Sequence, residues 1–332
     1  MSGRVPGAGE FEIIARYFAP LSRGAPLAFG LTDDAAMLLP RKGRGLVMTA
    51  DAIVAGVHFL PDDPPDLIAR KLLRVNLSDL AAKGATPRGY LLTAAFPQDV
   101  APGWIAAFAR GLRTDQKRFG IVLLGGDTVA TPGPASFSVT MIGEVPGRRM
   151  LRRSGARAGD LVCVSGTIGD GGFGLAELGH AHEGLAATQR RFLIDRYRLP
   201  RPRTTLGPLL RNVAGAALDV SDGLVQDLGH IARQSGTRLT IEAGAVPLSQ
   251  AGRAIVRADP SALGRALTAG DDYEIAFTVT KARLGALKAT AHRAGVPVSV
   301  IGRVERGAGV RVLGAGGEVI EAGPGGFDHF AR

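Results

Sequence analysis

Val75-Asn76-Leu77-Ser78-Asp79-Leu80-Ala81-Ala82-Lys83-Gly84-Ala85 is a helical run that carries polar residues a helix does not need. Ile68, Leu72 and Val75 form an apolar stripe at helical spacing, Asp66 after Pro64-Pro65 reads as its N-cap, and Gly84 sits where a glycine ends a helix. At 3.6 residues per turn Asp79 continues that stripe, with Asn76 about one turn before it, so a carboxylate is directed toward packed structure. A carboxylate in that position needs a partner: an ion pair, hydrogen bonds or a metal. The simplest partner is Lys83, four residues on.

Similar acids recur along the chain. Asp33-Asp34 follows Phe29-Gly30-Leu31-Thr32, and Asp51 ends Leu46-Val47-Met48-Thr49-Ala50. Asp127 follows Ile121-Val122-Leu123-Leu124-Gly125-Gly126, and Asp219-Val220-Ser221-Asp222-Gly223 follows Gly215-Ala216-Ala217-Leu218. Each acid is expected at or just past the end of an apolar strand, where open sheets place ligand sites. Convergent carboxylates without Cys or His clusters suit a hard, oxygen-seeking cation such as Mg²⁺ and argue against zinc.

A chain of 332 residues, 45% of them hydrophobic, can bury cores for two domains. No apolar stretch reaches the roughly 18 residues of a membrane span, and Met1 to Pro6 has no signal-peptide core, so a cytoplasmic protein without membrane contact is expected. The single cysteine, Cys163, lies in the apolar Leu161 to Ser165 and reads as a core residue. The net charge of +10 raises the possibility of a polyanion partner. However, the 40 basic residues are scattered and aromatics make up only 5%, so no nucleic-acid platform is visible. A basic surface equally suits small phosphorylated ligands.

Along the chain, Gly9 to Phe18 reads as a short helix closed by Pro20, and strands are expected around Asp34 and Asp51. His58 then lies beside Phe59. Tyr90–Phe96, Ile121–Leu124 and Ser136–Ile142 read as strands and Trp104–Phe119 as a helix. The Gly-, Pro- and Arg-rich Gly143 to Arg149 marks a boundary between domains 1–147 and 148–332. In the second half, Gly169-Asp170-Gly171-Gly172-Phe173-Gly174 matches G-x-G-x-x-G, but the acid about 20 residues on, Asp195, falls in a helical stretch. The glycines therefore read as a tight turn before a helix whose N-terminus could attract phosphate. No Gly-Lys dipeptide occurs, which excludes a Walker A loop. Further strands are read near Thr237–Glu242, Ile275–Val279, Val298–Gly302 and Val310–Leu313, and a helix at Leu224–Gln234.

Read together, these motifs resemble the thiamine-monophosphate kinase family, within the ATP-using, aminoimidazole ribonucleotide synthetase-like superfamily. The resemblance runs nearly end to end. It is carried by Gly9-Glu10-Phe11, Asp33-Asp34-Ala35-Ala36, Ala55-Gly56-Val57-His58-Phe59, Asn76-Leu77-Ser78-Asp79-Leu80-Ala81-Ala82, Gly125-Gly126-Asp127-Thr128, Arg153-Ser154-Gly155-Ala156, Asp219-Val220-Ser221-Asp222-Gly223-Leu224 and Asp272-Tyr273-Glu274.

The resemblance implies a two-domain α/β (α+β) fold. Its N-terminal domain would bind ATP and Mg²⁺ and dimerise through its sheet, and a C-terminal α/β domain would complete an active-site cleft. It implies phosphorylation of thiamine monophosphate by ATP, with several Mg²⁺ ions held by Asp34, Asp51, Asp79, Asp127, Asp219 and Asp222 and oxygen ligands at Thr49 and Ala50. Gly126, Asp127, Arg153 and Ser221 match nucleotide contacts, and His58, Asp271 and Phe327 match contacts to the thiamine phosphate. Asp127, Asp222 and Arg153 would carry the catalysis.

The chain departs from the family pattern at Thr32, Ala50, Asp271 and in the tail Gly325 to Phe330. Ala50 has no hydroxyl but keeps its backbone carbonyl, and Asp271 is one methylene shorter than the usual Glu. Two rivals stand beside this reading. One is another enzyme of the superfamily, such as an aminoimidazole-type ligase; a selenophosphate-forming or hydrogenase-maturation enzyme would call for a reactive cysteine near a terminus, which Cys163 is not. The other is a basic polyanion-binding protein, marked by steep salt dependence and no ATP turnover.

Overall fold

The computed structural model describes residues 9–179 and 181–320. Among the described residues two compact units emerge, the first made of residues 9–80 and 85–148, the second of 81–84, 149–179 and 181–320. The segment from Gly9 to Phe18 is a single α turn, α1 (Glu10–Ile13), which widens into a π-helix over Ile14–Phe18 and tightens into a 3₁₀ turn over Ala19–Ser22. Pro20 sits inside that last turn.

The first unit is built on a four-stranded sheet. Its strands are β1 (Arg44–Val54), β2 (Thr86–Pro97), β3 (Val122–Thr131) and β4 (Ser136–Pro146), in the order β1-β4-β2-β3. β4 runs antiparallel to both neighbours, and β2 and β3 are parallel. A parallel pair needs a crossover, supplied here by α3 (Pro102–Phe119). The core lies on one face of the sheet, where Leu72, Leu77 and Leu80 of α2 (Pro65–Ala82) and Phe108 and Leu112 of α3 meet Ile53, Leu92, Phe137 and Met141. Phe108 and Phe137 bring their ring centroids to 4.5 Å.

The opening helix has the expected register with one correction. Pro65 is its first residue, a position where a missing N–H costs nothing, and the Pro64 carbonyl accepts from Leu67 and Ile68, so Asp66 lies in the first turn and is not the cap. At the other end Gly84 takes φ +70°, with Gly84 N–H bonded to Ala81 O and Ala85 N–H to Leu80 O. This paired 5→2 and 6→1 arrangement satisfies the last carbonyls.

The second unit carries seven strands, β5 (Leu161–Ser165), β6 (Ala214–Val220), β7 (Arg238–Glu242), β8 (Glu274–Val279), β9 (Val298–Glu305), β10 (Gly309–Leu313) and β11 (Val319–Ile320). Their order is β11-β10-β7-β9-β5-β8-β6, antiparallel throughout except for the β10/β7 pair. Its helices are α4 (Asp170–Leu178), α5 (Ala187–Arg198), α6 (Gly207–Leu210), α7 (Leu224–Ser235), α8 (Gln250–Ala258), α9 (Ala262–Thr268) and α10 (Leu284–Ala294). The centre of the sheet is covered on both faces. On β5, Val162 and Val164 join the core beneath α7, whereas Cys163 joins the one formed with Leu210 and Leu287. Burial pushes the Cys163 thiol up to about 12, which makes it a packed hydrophobe and not a nucleophile.

Candidate functional site

In the first unit the structure draws Thr49, Asp51, Asn76 and Asp79 together. Along β1 the odd positions Val47, Thr49, Asp51 and Ile53 face the helices, while Leu46, Met48, Ala50 and Ala52 are exposed on the opposite face. The Thr49 hydroxyl donates to Asp79 Oδ2, and the Asp51 N–H donates to Asn76 Oδ1 at 3.1 Å. Asn76 is fully buried and gives its own amide to the Leu72 carbonyl at 3.0 Å, which fixes which end of its side chain faces Asp51. The partner of Asp79 is thus a hydroxyl on a neighbouring strand. Lys83 reaches instead to the Ala217 carbonyl at 3.0 Å.

Asp51 and Asp127 prove to be mid-strand residues, which corrects the expectation that each acid would follow the end of a strand. Asp51 is flanked by three further residues of β1, and β3 continues through Gly125-Gly126-Asp127 to Thr131. The uncovered face of the sheet accepts Asp127 without ending β3, and on the helix-facing side Asn76 supplies a polar neighbour for Asp51. Gly126 allows β3 to stay close to its neighbour: at φ +154°, a Cβ there would lie 1.8 Å from the Leu92 carbonyl.

Register pairs Asp127 with the exposed Thr93, on the face away from α2 and α3, whereas Asp51 faces the helices. β1 and β3 are the two edges of the sheet, so three strand spacings, about 14 Å, separate their backbones. Asp34 lies in a loop and not beside a strand. It follows a 3₁₀ segment in which Phe29 and Leu31 take positive φ of 50° and 60°, and its N–H donates to Asp33 Oδ1 at 2.8 Å. Non-glycine residues held in that region concentrate where surrounding structure serves a site.

His58 sits in the turn after β1. Its Nδ1 accepts the Val54 N–H at 3.1 Å, so the neutral ring carries its proton on Nε2. The buried Lys71 ammonium donates to the His58 carbonyl at 2.9 Å and fixes the turn from α2.

In the second unit Asp219 is the penultimate residue of β6, and Ser221 and Asp222 form the turn into α7. Gly223, at φ +113°, makes that turn possible, because a Cβ there would stand 2.4 Å from the Thr268 carbonyl. The buried Asp227 pulls the turn onto the helix, its Oδ2 accepting the Ser221 and Asp222 N–H groups at 3.0 Å each. Burial, reinforced by the Asp222 charge, raises the Asp227 carboxyl to about 7 against the pull of those two bonds and of Arg153. Arg153 is exposed, and its positive charge helps depress His230, whose ring burial is the larger cause. Arg153, Asp222, Asp227 and His230 therefore share one electrostatic neighbourhood. Ser235, at the far end of α7, fixes the Arg153 loop by accepting from Gly155 and Ala156 N–H at 3.2 Å each.

Asp271 is one of the non-glycine residues in the left-handed region, at φ +68°, and its N–H donates to the Ser221 carbonyl at 2.8 Å. The stretch beyond it holds Asp272 and Glu274, which lie on a family motif that does not show their partners. Asp272 is buried, with Oδ2 accepting from Gly169 N–H at 2.7 Å and Oδ1 from Gly171 N–H at 3.0 Å. Burial pushes its carboxyl well up, and these two bonds pull it down. The start of α4 is thus filled by a carboxylate of the chain itself, which corrects the reading of the Gly169 to Gly174 turn as a phosphate seat. Next to it the buried Glu274 accepts from Arg203 Nε and Ser165 Oγ at 2.6 Å each and from Arg196 Nη2 at 3.0 Å. Phe327 lies outside the described residues.

Among the described residues no three Asp, Glu, His or Cys side chains stand close enough together to hold a metal ion by themselves. The donors that do converge, Thr49, Asp51 and Asp79, offer oxygen alone. That chemistry fits a hard cation that completes its shell with water and phosphate oxygens, the habit of Mg²⁺.

Comparison with known proteins follows the same division of the chain. The family model for AIR synthase related protein, N-terminal domain, matches residues 32–145, and that for AIR synthase related protein, C-terminal domain, matches 157–314. Over 314 residues the chain is 47% identical to the thiamine-monophosphate kinase of Caulobacter vibrioides, covering 93% of this chain and 88% of that one. The crystal structure of thiamine-monophosphate kinase from Stenotrophomonas maltophilia superposes with a TM-score of 0.79 at 41% identity, over 87% of this chain and 90% of that one. A structure of AaThiL complexed with AMPPCP and TMP superposes with a TM-score of 0.77 at 31% identity, over 97% of both chains.

Proposed function

We propose a mechanism from the premise that the chain belongs to the AIR synthase-related family, and within it to the thiamine-monophosphate kinases. The protein is an ATP-dependent kinase that phosphorylates thiamine monophosphate to thiamine diphosphate. The observation that carries the mechanism is the convergence of Thr49, Asp51, Asn76 and Asp79, four residues from two elements locked into one oxygen-rich arrangement.

The reaction joins two polyanions, so the main demands on the protein are alignment and charge neutralisation. Mg²⁺, when bound, would offset the charge of the phosphate groups. In the first unit Asp51 and Asp79, with Thr49 and the backbone at Ala50, would hold it; Asp34 and Asp127, the latter on the opposite face of the sheet, match ligand positions by family motif alone. In the second unit Asp219 and Asp222 would do so, with Arg153 and the Ser221 turn facing the nucleotide. His58, through its Nε2–H, and Asp271 would orient the thiamine phosphate, and Phe327 matches the same role by motif.

The acceptor needs no dedicated base, because a phosphate monoester with a second pKa of about 6 is already largely a dianion at neutral pH. Its oxygen attacks the γ-phosphorus, the bond to the bridging oxygen breaks, and ADP leaves with that electron pair. Cys163, the sole thiol, is buried and high in pKa, so it is no candidate for a phosphocysteine, and the proposed route is direct in-line transfer without a phosphoenzyme.

A homodimer is part of the same proposal. Leu46, Met48, Leu91 and Val129 are exposed on the sheet face away from the helices, an apolar surface suited to a second copy.

The test is an assay of the purified chain with thiamine monophosphate, ATP and Mg²⁺, reading thiamine diphosphate by chromatography. Product that disappears with EDTA and returns with Mg²⁺, together with a Mg·ATP-dependent rise in Tm, is the expected result. ATP consumption without thiamine diphosphate would leave the superfamily and overturn the substrate. A ³²P-labelled protein trapped from γ-labelled ATP would overturn in-line transfer.

A further inference from the structure

Asp272 lies one residue beyond the proposed substrate contact Asp271, and no part of it is exposed. Its two carboxylate oxygens take the Gly169 and Gly171 N–H groups at 2.7 and 3.0 Å, at the start of α4, where a helix leaves donors unpaired and carries partial positive charge. Its carbonyl accepts from the buried Arg196 Nη2 at 3.0 Å. On either side Asp271 and Tyr273 take φ of +68° and +52°, conformations that L-residues hold only when their surroundings impose them.

Those same two residues are tied to the turn before α7. Asp271 N–H donates to Ser221 O at 2.8 Å and Tyr273 N–H to Val220 O at 2.7 Å. The layers are pressed together: a Cβ on Gly171 would stand 2.3 Å from the Asp271 carbonyl, and one on Gly270 would stand 2.4 Å from the Ser221 carbonyl. Three segments distant in sequence, the start of α4, the Asp271 loop and the Ser221-Asp222 turn, therefore meet around one carboxylate.

We propose that Asp272 is a positioning residue for the kinase reaction, anchoring Asp271 and the Ser221-Asp222 turn as one body against the N-terminus of α4. The inference rests on the reading of Asp271 and Ser221 as contacts to acceptor and nucleotide. Without the anchor, Asp271 and Tyr273 relax toward ordinary backbone angles and both N–H donors leave the β6 turn. Acceptor and nucleotide positions then loosen together, although Asp272 touches neither. A residue that merely supports the fold would lower stability without coupling the two substrates.

Asp272→Asn in the full chain tests this, because its amide sets an N–H donor against one of the α4 N–H groups. The control is Glu177→Gln, a buried carboxylate on the same helix whose partners, His182 and Arg190, lie outside the loop. The expected result is a KM for thiamine monophosphate and for Mg·ATP each raised about tenfold or more in Asp272→Asn. Both stay at wild-type values in Glu177→Gln, even where its Tm falls as far. Amide hydrogen exchange over 219–224 and 269–274 accelerates in Asp272→Asn alone.

Wild-type KM values in Asp272→Asn, or an equal rise in Glu177→Gln, overturn the proposal. If Asp272→Asn does not fold, Gly270→Ala pushes on the same contact from the loop side: it must raise both KM values, and wild-type values there overturn the proposal. If the wild-type chain converts no thiamine monophosphate, the kinase reading fails, and exchange over 219–224 still decides the anchor, with unchanged rates overturning it.

Discussion

Asp51 and Asp79 in the first unit are partly exposed and have a hydroxyl and an amide for neighbours, whereas Asp272 and Glu274 in the second are fully buried against N–H groups and arginines. Both arrangements are dense in carboxylates, and both lie on family motifs. A half-buried carboxylate beside neutral groups suits a cation that arrives with a ligand. A buried one is already neutralised by guanidinium or helix start, so its value is positional and its loss is felt in stability. Carboxylate density does not identify a metal site; the nature of the neighbours does.

The largest effect should come from breaking the buried side of this comparison. Glu274→Ala leaves Arg196 and Arg203 without their main counter-charge and should cost about 3–5 kcal/mol of unfolding free energy, measured by denaturant titration. Activity per folded molecule should survive at low temperature. A loss under about 1 kcal/mol would show that the cluster does not carry the second unit.

On the other side the pattern should invert. Asp51→Asn should lower turnover about a hundredfold or more while moving stability by no more than about 0.5 kcal/mol. Near-normal turnover in that variant would remove Asp51 from the site. Thr49→Val, which deletes the hydroxyl bonded to Asp79, should weaken Mg²⁺ dependence or rate by about tenfold, read as a shift in the Mg²⁺ activation curve. At the low end, Cys163 sharpens the contrast by doing nothing. With its thiol pushed up to about 12 by burial, its thiolate is negligible at pH 8, and iodoacetamide should label it only after unfolding. Rapid labelling of the native chain would show an accessible thiol.

The periodic parts of the fold were legible in the sequence. Ile68, Leu72 and Val75 gave the helix and Gly84 its end, because helix spacing and a left-handed stop are local properties. The apolar runs gave the central strands. The exact relation of the acids to those strands was not legible, since the exposed face of β3 accepts Asp127, and the hydrogen-bonding Asn76 accommodates Asp51 on the helix-facing side of β1, as readily as a strand end does. The Gly169 to Gly174 turn was visible, but its occupant was not. Asp272 is 103 residues away, and nothing local announces that its carboxylate will cap that helix. Glu274 lay on a family motif, but its partners Arg196 and Arg203, 78 and 71 residues away, could not be read from it.

By itself the sequence determined which segments are helical or extended, that two cores could form, and which oxygen-rich motifs were candidates for phosphate and metal chemistry. Only the tertiary structure decided which carboxylates stay available and which are consumed in holding the fold. Short-range periodicity sets where a side chain points, but a charge takes its role from partners that chain closure brings to it from a hundred residues away, and from the water that packing removes around it.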